Sequence, residues 1–292
     1  MRTFVTLLIF AAIAATPAQA GIFGRDDKAS PQVSAAAVAE IQRAMDEQRL
    51  IDAGRMLDSA QVAGVRDPRL EVLGGDLNLR RGRLNAAYAS YRAAEADPEI
   101  LARALQGQGI TLSLQGRSDE AIATLQRAVE ADPGAWRAWN ALGREYDNRT
   151  QWTQAEAAYA QAMSASGGDA LVLNNRGYSR LLQHRRDEAV ADFVAALGKR
   201  PSLTEARTNL RLALAMRGDY DRALAGGAPG DQAALLNNAG FAAGMRGDYA
   251  KAEALLGQAL ELKSEYYGRA SENLKVVRAL AAQSEPAPNV VR

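Results

Sequence analysis

The chain has 292 residues, 48% hydrophobic and 24% charged, which is enough apolar content for a large core and not the composition of a disordered chain. Its 35 basic residues oppose 34 acidic ones, so no net field recruits nucleic acid or an anionic membrane surface. The absence of cysteine excludes disulfides, thiolate catalysis, cysteine-held metals and lipidation of an N-terminal cysteine.

In chain order, Arg2 precedes the apolar run Phe4 to Ala15, then Pro17 and the small-x-small sequence Ala18-Gln19-Ala20. This is the pattern of a secretory signal peptide, residues 1–20, cleaved after Ala20. The run is too short to span a hydrocarbon core of ~30 Å, so no stable membrane anchor is expected. No later apolar stretch is long, and the expected product is soluble, periplasmic and not a lipoprotein. Residues 21–33 read as a flexible leader and 34–67 as a degenerate first repeat.

From there a period appears. Alanines stand at 53, 87, 121, 155, 189 and 223, each 34 residues from the next. Four positions after the first five come Leu57, Tyr91, Leu125, Tyr159 and Phe193, and seven after come Ala60, Ala94, Ala128, Ala162 and Ala196. That spacing is one helix face. Gly109, Gly143 and Gly177, again 34 apart, lie twelve residues before their alanines in a second helical pattern, so each unit is a helix pair. Asp97-Pro98, Asp132-Pro133, Gly167-Gly168 and Arg200-Pro201 end the second helices.

The pentapeptide Met-Arg-Gly-Asp-Tyr occurs at 216–220 and again at 245–249, between the two helices of a unit each time. It reads as a turn, not an adhesion signal, with Asp219 and Asp248 expected to cap the helices that follow. Between Ala223 and the next equivalent, Ala252, the spacing falls to 29, and Ala225-Gly226-Gly227-Ala228-Pro229-Gly230 cannot continue a helix. A break is expected near 226–230, with a thinly packed joint, as a tolerated deletion or a hinge. Residues 266–283 form an amphipathic capping segment with Tyr267, Ala270, Leu274, Val277 and Leu280 on one face, and 284–292 a disordered tail.

Period and anchors resemble the tetratricopeptide repeat, most fully in Trp136 to Asp169 with Trp139, Leu142, Gly143, Tyr146, Ala155, Tyr159 and Ala162. The resemblance implies an all-α fold, a right-handed superhelical solenoid of about seven helix pairs over 34–283 with a C-terminal capping helix. Its concave face would carry Gln106, Asn140, Asn174, Thr208 and Asn237 in one row, with Ala141, Asn175, Asn209 and Asn238 beside them. Ile110, Arg144, Tyr178, Leu212 and Phe241 come next. Asparagine amides both donate and accept, so such a ladder suits a peptide backbone. The groove holds few arginines, chiefly Arg137 and Arg144, which argues against the clamping of a terminal carboxylate that some co-chaperone members use.

No catalytic elbow, phosphate-cradling loop, dinucleotide fingerprint or calcium loop is present, and His184 is the single histidine. No enzyme, metal, cofactor, nucleic acid or small-molecule substrate is expected. The words "LVLNNRGYSRLLQHRRDEAVADF" from Leu171, "TNLRLALAMRGDYDRAL" and "ALLNNAGFAAGMRGDYAKAEALL" are similar to the TadD family of tight-adherence (Flp) pilus assembly, over roughly residues 70 to 280. That likeness implies a periplasmic scaffold whose partner is a protein or peptide segment of a pilus or its secretin. An adaptor of another envelope or polysaccharide-export machine would share the same solenoid. Members of that family are typically lipoproteins, from which this cysteine-free chain departs.

Overall fold

The computed structural model describes residues 34–227, 229–262 and 268–284. The expected signal peptide and leader, Tyr267 and the expected tail from 285 lie outside the described residues. Among those described, fifteen α-helices and no strand form seven pairs and a final helix. The pairs are α1 (Ala35–Asp46) and α2 (Leu50–Val62), α3 (Pro68–Arg80) and α4 (Leu84–Ala93), α5 (Leu101–Leu114) and α6 (Ser118–Ala131), α7 (Trp136–Asn148) and α8 (Trp152–Ser166). They continue as α9 (Ala170–Leu182) and α10 (Arg186–Lys199), α11 (Thr204–Arg217) and α12 (Tyr220–Leu224), α13 (Gln232–Met245) and α14 (Tyr249–Glu261), closed by α15 (Gly268–Ser284). Ser284 thus ends a helix and does not begin the tail. The chain divides into two compact units inside α7, the first reaching Glu145 and the second starting at Tyr146.

One turn geometry recurs within every pair. Gln48, Gly82, Gly116, Thr150, His184, Gly218 and Gly247 all have φ between 56° and 97°. The next residue's N–H returns to the carbonyl five residues back, from Arg49 to Ala44 through Asp248 to Ala243, at 2.8–2.9 Å in all seven. This is the Schellman closure, which satisfies the last carbonyls of the first helix and needs a left-handed residue. Both Met-Arg-Gly-Asp-Tyr segments are such turns. Their aspartates hold the position before the second helix, yet neither side chain caps it. With ψ of 67° at Asp219 and 65° at Asp248 the backbone is outside the extended region that an N-cap uses. Asp219 instead pairs with Arg217 at 2.9 Å and Arg222 at 3.2 Å, and Asp248 accepts the Tyr220 hydroxyl at 3.0 Å.

The periodic alanines are buried, from Ala53 to Ala252, because the second helix crosses its neighbours too closely for more than a methyl group. The bulky residue four positions on faces a glycine sixteen residues before it. A Cβ on Gly75, Gly109, Gly177 or Gly240 would come within 2.5–2.9 Å of Tyr91, Leu125, Phe193 or Leu256 respectively. Tyr91 fills the space over Gly107 as well, where a Cβ would lie 2.3 Å from its ring.

The sixth pair inverts this lock. Arg211 stands at the glycine position and Gly227 at the bulky one, and α12 stops after five residues. Arg211 Nη2 donates to the Ala225 carbonyl at 3.1 Å, closing the end of the short helix. A core nevertheless continues across the joint. Tyr220 and Ala223 of α12 join Leu214, Leu236 and Ala239 in one core cluster that runs on to Val277 of α15. On α15, Ala270 and Val277 are buried and Leu274 packs against the same cluster, so the helix caps the last pair as its spacing implies.

Candidate partner-binding surface

In the second unit the first helices pack in sequence, α9 on α11, α11 on α13 and α13 on α15. Equal register then brings their outward side chains into line. Tyr178 is 44% exposed and Phe241 38%, with Leu212 partly buried between them in the row. One turn further along each helix stand Leu182, Met216 and Met245, of which Leu182 and Met245 are exposed. Val276 of α15, exposed, extends the first row, three residues after Asn273 as Tyr178 follows Asn175 and Phe241 follows Asn238. None of these side chains is charged. Tyr178, Leu212 and Phe241 were legible from register alone. Leu182, Met216, Met245 and Val276 join them only in the structure, although an i, i+4 apolar repeat on each helix marks the first three.

The asparagines do something other than the sequence suggests. Asn174 and Asn237 are buried, at 7% and 2% exposure, and cannot face a ligand. Asn209 Nδ2 donates to Asn174 Oδ1 at 3.0 Å, and Asn174 Nδ2 donates to Asn175 Oδ1 at 3.2 Å. The arrangement recurs where α15 meets α13. Asn273 Nδ2 donates to Asn237 Oδ1 at 2.9 Å, and Asn237 Nδ2 to Asn238 Oδ1 at 3.1 Å. Buried amides must be paired, and these pair across the joints α9–α11 and α13–α15. They tie successive first helices together and are not a ladder open to a peptide backbone. Asn175 and Asn209 remain half-buried and Asn238 exposed.

Asn140 and Arg144 lie in the first unit on α7, half-buried and exposed respectively, and Gln106 and Ile110 on α5 are half-buried. The expected row therefore falls partly in each unit, and only the second unit gathers its members into an apolar band.

Charged groups behind this band are neutralised in place. Asp192, almost fully buried, accepts from Arg176 Nη2 at 2.6 Å and Nε at 3.0 Å and from Arg180 at 2.9 Å, and Arg180 reaches Glu156 at 2.7 Å. Hydrogen bonding to Asp192 raises the Arg176 guanidinium further above its already high range. Asp147 accepts the Tyr159 hydroxyl at 2.8 Å and the Ser179 hydroxyl at 2.6 Å, joining α7, α8 and α9. Burial pushes the Asp147 carboxyl above the usual carboxylate range, against the lowering by those two hydroxyls. Among the described residues no group of three His, Cys, Asp or Glu side chains could hold a metal, and no helix is long and apolar enough to cross a membrane. His184 holds a left-handed turn position, with φ 61°.

Residues 102–134 match the tetratricopeptide repeat family model. No curated protein matches the chain by sequence. Among solved structures, a tetratricopeptide repeat protein from Parabacteroides merdae is 16% identical over 83% of this chain and 98% of its own, with a TM-score of 0.53. The Cut9-Hcn1 hetero-tetramer of the APC/C gives a TM-score of 0.66 at 14% identity, over 84% of this chain and 49% of that one. A tetratricopeptide protein of Thermus thermophilus gives 0.56 at 18% identity, over 61% of this chain and 97% of its own. At such identities the likeness shows the fold alone, a solenoid of helix pairs of the tetratricopeptide kind, in which the unit 102–134 matches the repeat's family model.

Proposed function

We propose that the protein is a non-enzymatic scaffold that holds a protein segment on the first-helix face of its second unit. It would act in the periplasm, in assembly of the tight-adherence pilus or its outer-membrane secretin. The observation that carries the binding role is the uncharged band led by Tyr178 and Phe241, since tetratricopeptide proteins bind peptides and proteins and exposed aromatics concentrate interface energy. The location rests on the sequence of residues 2–20, and the pilus rests on the similarity of roughly residues 70 to 280 to the TadD family.

A photo-crosslinking amino acid placed at Tyr178 in living cells, with mass spectrometry of the captured proteins, tests both parts. A component of the pilus or secretin machine, lost when Phe241→Ala is added, is the expected result. Capture only of polysaccharide-export proteins would move the scaffold to that machinery, and capture of no envelope-assembly protein would refute the reading. Affinity for the captured partner should depend weakly on salt, because the band is uncharged.

A further inference from the structure

We infer that the segment received by this band is an amphipathic α-helix with an uncharged apolar face, laid across α9, α11, α13 and α15. The inference rests on the scaffold reading and adds the conformation of the partner. Three features of the surface lead to it.

The band has two rows. Tyr178 and Leu182, Leu212 and Met216, and Phe241 and Met245 are each one helical turn apart, so the rows are separated by about 6 Å. Packed helices lie about 8–10 Å apart, which sets the repeat along each row. A helix crossing the band presents a side chain to each row about every seven residues, or roughly 10.5 Å, and its apolar face has two ridges separated by about 5–6 Å. A β-strand lays down a single line of side chains at about 6.6 Å, out of step with the band. A polyproline segment keeps step at about 9.3 Å but fills one row only.

The second feature is the asparagine network. An extended segment brings unpaired N–H and C=O groups that the groove must satisfy, whereas a helix pairs its own. The central amides that could serve an extended backbone, Asn174 and Asn237, are buried and already bonded on both their oxygen and nitrogen sides. The third is charge. All six side chains are uncharged, so an acidic or basic facing residue would lose its water without gaining a partner. Crossing the three intervals between four helices takes about 24–30 Å, a helix of roughly 16–20 residues.

The test uses the purified chain and three labelled synthetic peptides of equal length. One carries leucine at the a and d positions of three heptads with Ala, Glu and Lys elsewhere. The second has a central proline pair replacing two alanines, and the third has leucine at every third position of a proline-rich sequence. Fluorescence anisotropy should show the helical peptide binding at least tenfold tighter than either other. Its circular dichroism should gain helix on binding. Tyr178→Ser with Phe241→Ser, or Met245→Glu alone, should weaken it at least tenfold while the protein's own helical spectrum is unchanged. Equal or tighter binding of an extended peptide, helical-peptide binding indifferent to all these variants, or binding of no peptide would overturn the inference. Crosslinking at Tyr178 separates the two readings. Capture of a pilus component with no preference for helix leaves the scaffold standing and removes the helix, and a strong helix preference without envelope capture does the reverse.

Discussion

Replacing Thr150 by glycine should stabilise the protein, although it removes a side chain. The seven turns share one left-handed position, and glycine fills four of them, at 82, 116, 218 and 247. At Gly82, Gly116 and Gly247 an added Cβ would meet nothing within 4 Å, so glycine is favoured there by conformation and not by crowding. Thr150 has φ 56° with a β-branched side chain, the type least suited to that region. The left-handed conformation costs an ordinary residue about 1–2 kcal/mol. Glycine's greater freedom in the unfolded chain offsets about 0.5–1 kcal/mol of the relief. The exposed bond from Thr150 Oγ1 to the Arg149 carbonyl, 2.6 Å, would be lost at little cost. The net expectation is a gain of about 0.5–1 kcal/mol, or roughly 2–4 °C per kcal/mol in a chain of this size. Urea titration followed by tryptophan fluorescence is well suited, since Trp152 lies two residues away. Gly116→Ala, the reverse experiment, should lose about 1 kcal/mol or more. A lower midpoint for Thr150→Gly, or an unchanged midpoint for Gly116→Ala, would refute the assignment of this position to conformational strain.

His184→Ala should leave the urea midpoint nearly unchanged because it keeps φ 61° on a non-glycine residue, whereas His184→Gly should raise it. Gly240→Ala should cost about 1–3 kcal/mol in the same assay, since its Cβ would sit 2.8 Å from Leu256 and 3.2 Å from the rigid Ala252 carbonyl. Ala155→Leu should cost a similar amount, because Ala155 is fully buried. Asp147 has its folded-state pKa raised, so the fold disfavours the ionised form. Its contribution is most favourable below the unfolded value of about 3.9 and is lost as pH rises through the folded pKa. Asp147→Asn should therefore gain on the parent between pH 4 and pH 7 in urea midpoints, and a variant midpoint that falls relative to the parent's over that interval would contradict the sign. N-terminal sequencing of the exported protein should begin at Gly21, and a chain retaining Met1 would show that the apolar run is not removed.

Helix pairs, their turns and most of the core were legible because one period carried them. Ala87, Tyr91 and Ala94 announce a helix face by type and spacing alone, and the crystal-like packing of a core leaves little choice of residue there. Gly75 and Gly240 belong to the same series, but the room each leaves for Tyr91 or Leu256 is a contact between two helices, which the spacing of one helix does not record. The asparagines were misread for a physical reason. Burial of Asn174 depends on how near α11 stands to α9, which no property of the local sequence records. An amide two residues from a surface position can serve a ligand or a neighbouring helix with equal chemistry. Likewise Val276 lies beyond the last full pair, where period gives no guide and only the bond from Asn273 to Asn237 fixes the register.

The short α12 also makes one place in the chain permissive to added length. Ala225, Gly226, Gly230 and Asp231 are exposed, and Gly226 and Gly230 face open space. Meanwhile α11 and α13 remain packed on each other, so Leu212 and Phe241 stay in line whatever connects α12 to α13. Insertions tend to be tolerated at exposed connections of small and polar residues. An epitope or fluorescent reporter spliced between Gly226 and Asp231 would thus label the protein while leaving Tyr178, Leu212 and Phe241 in their row.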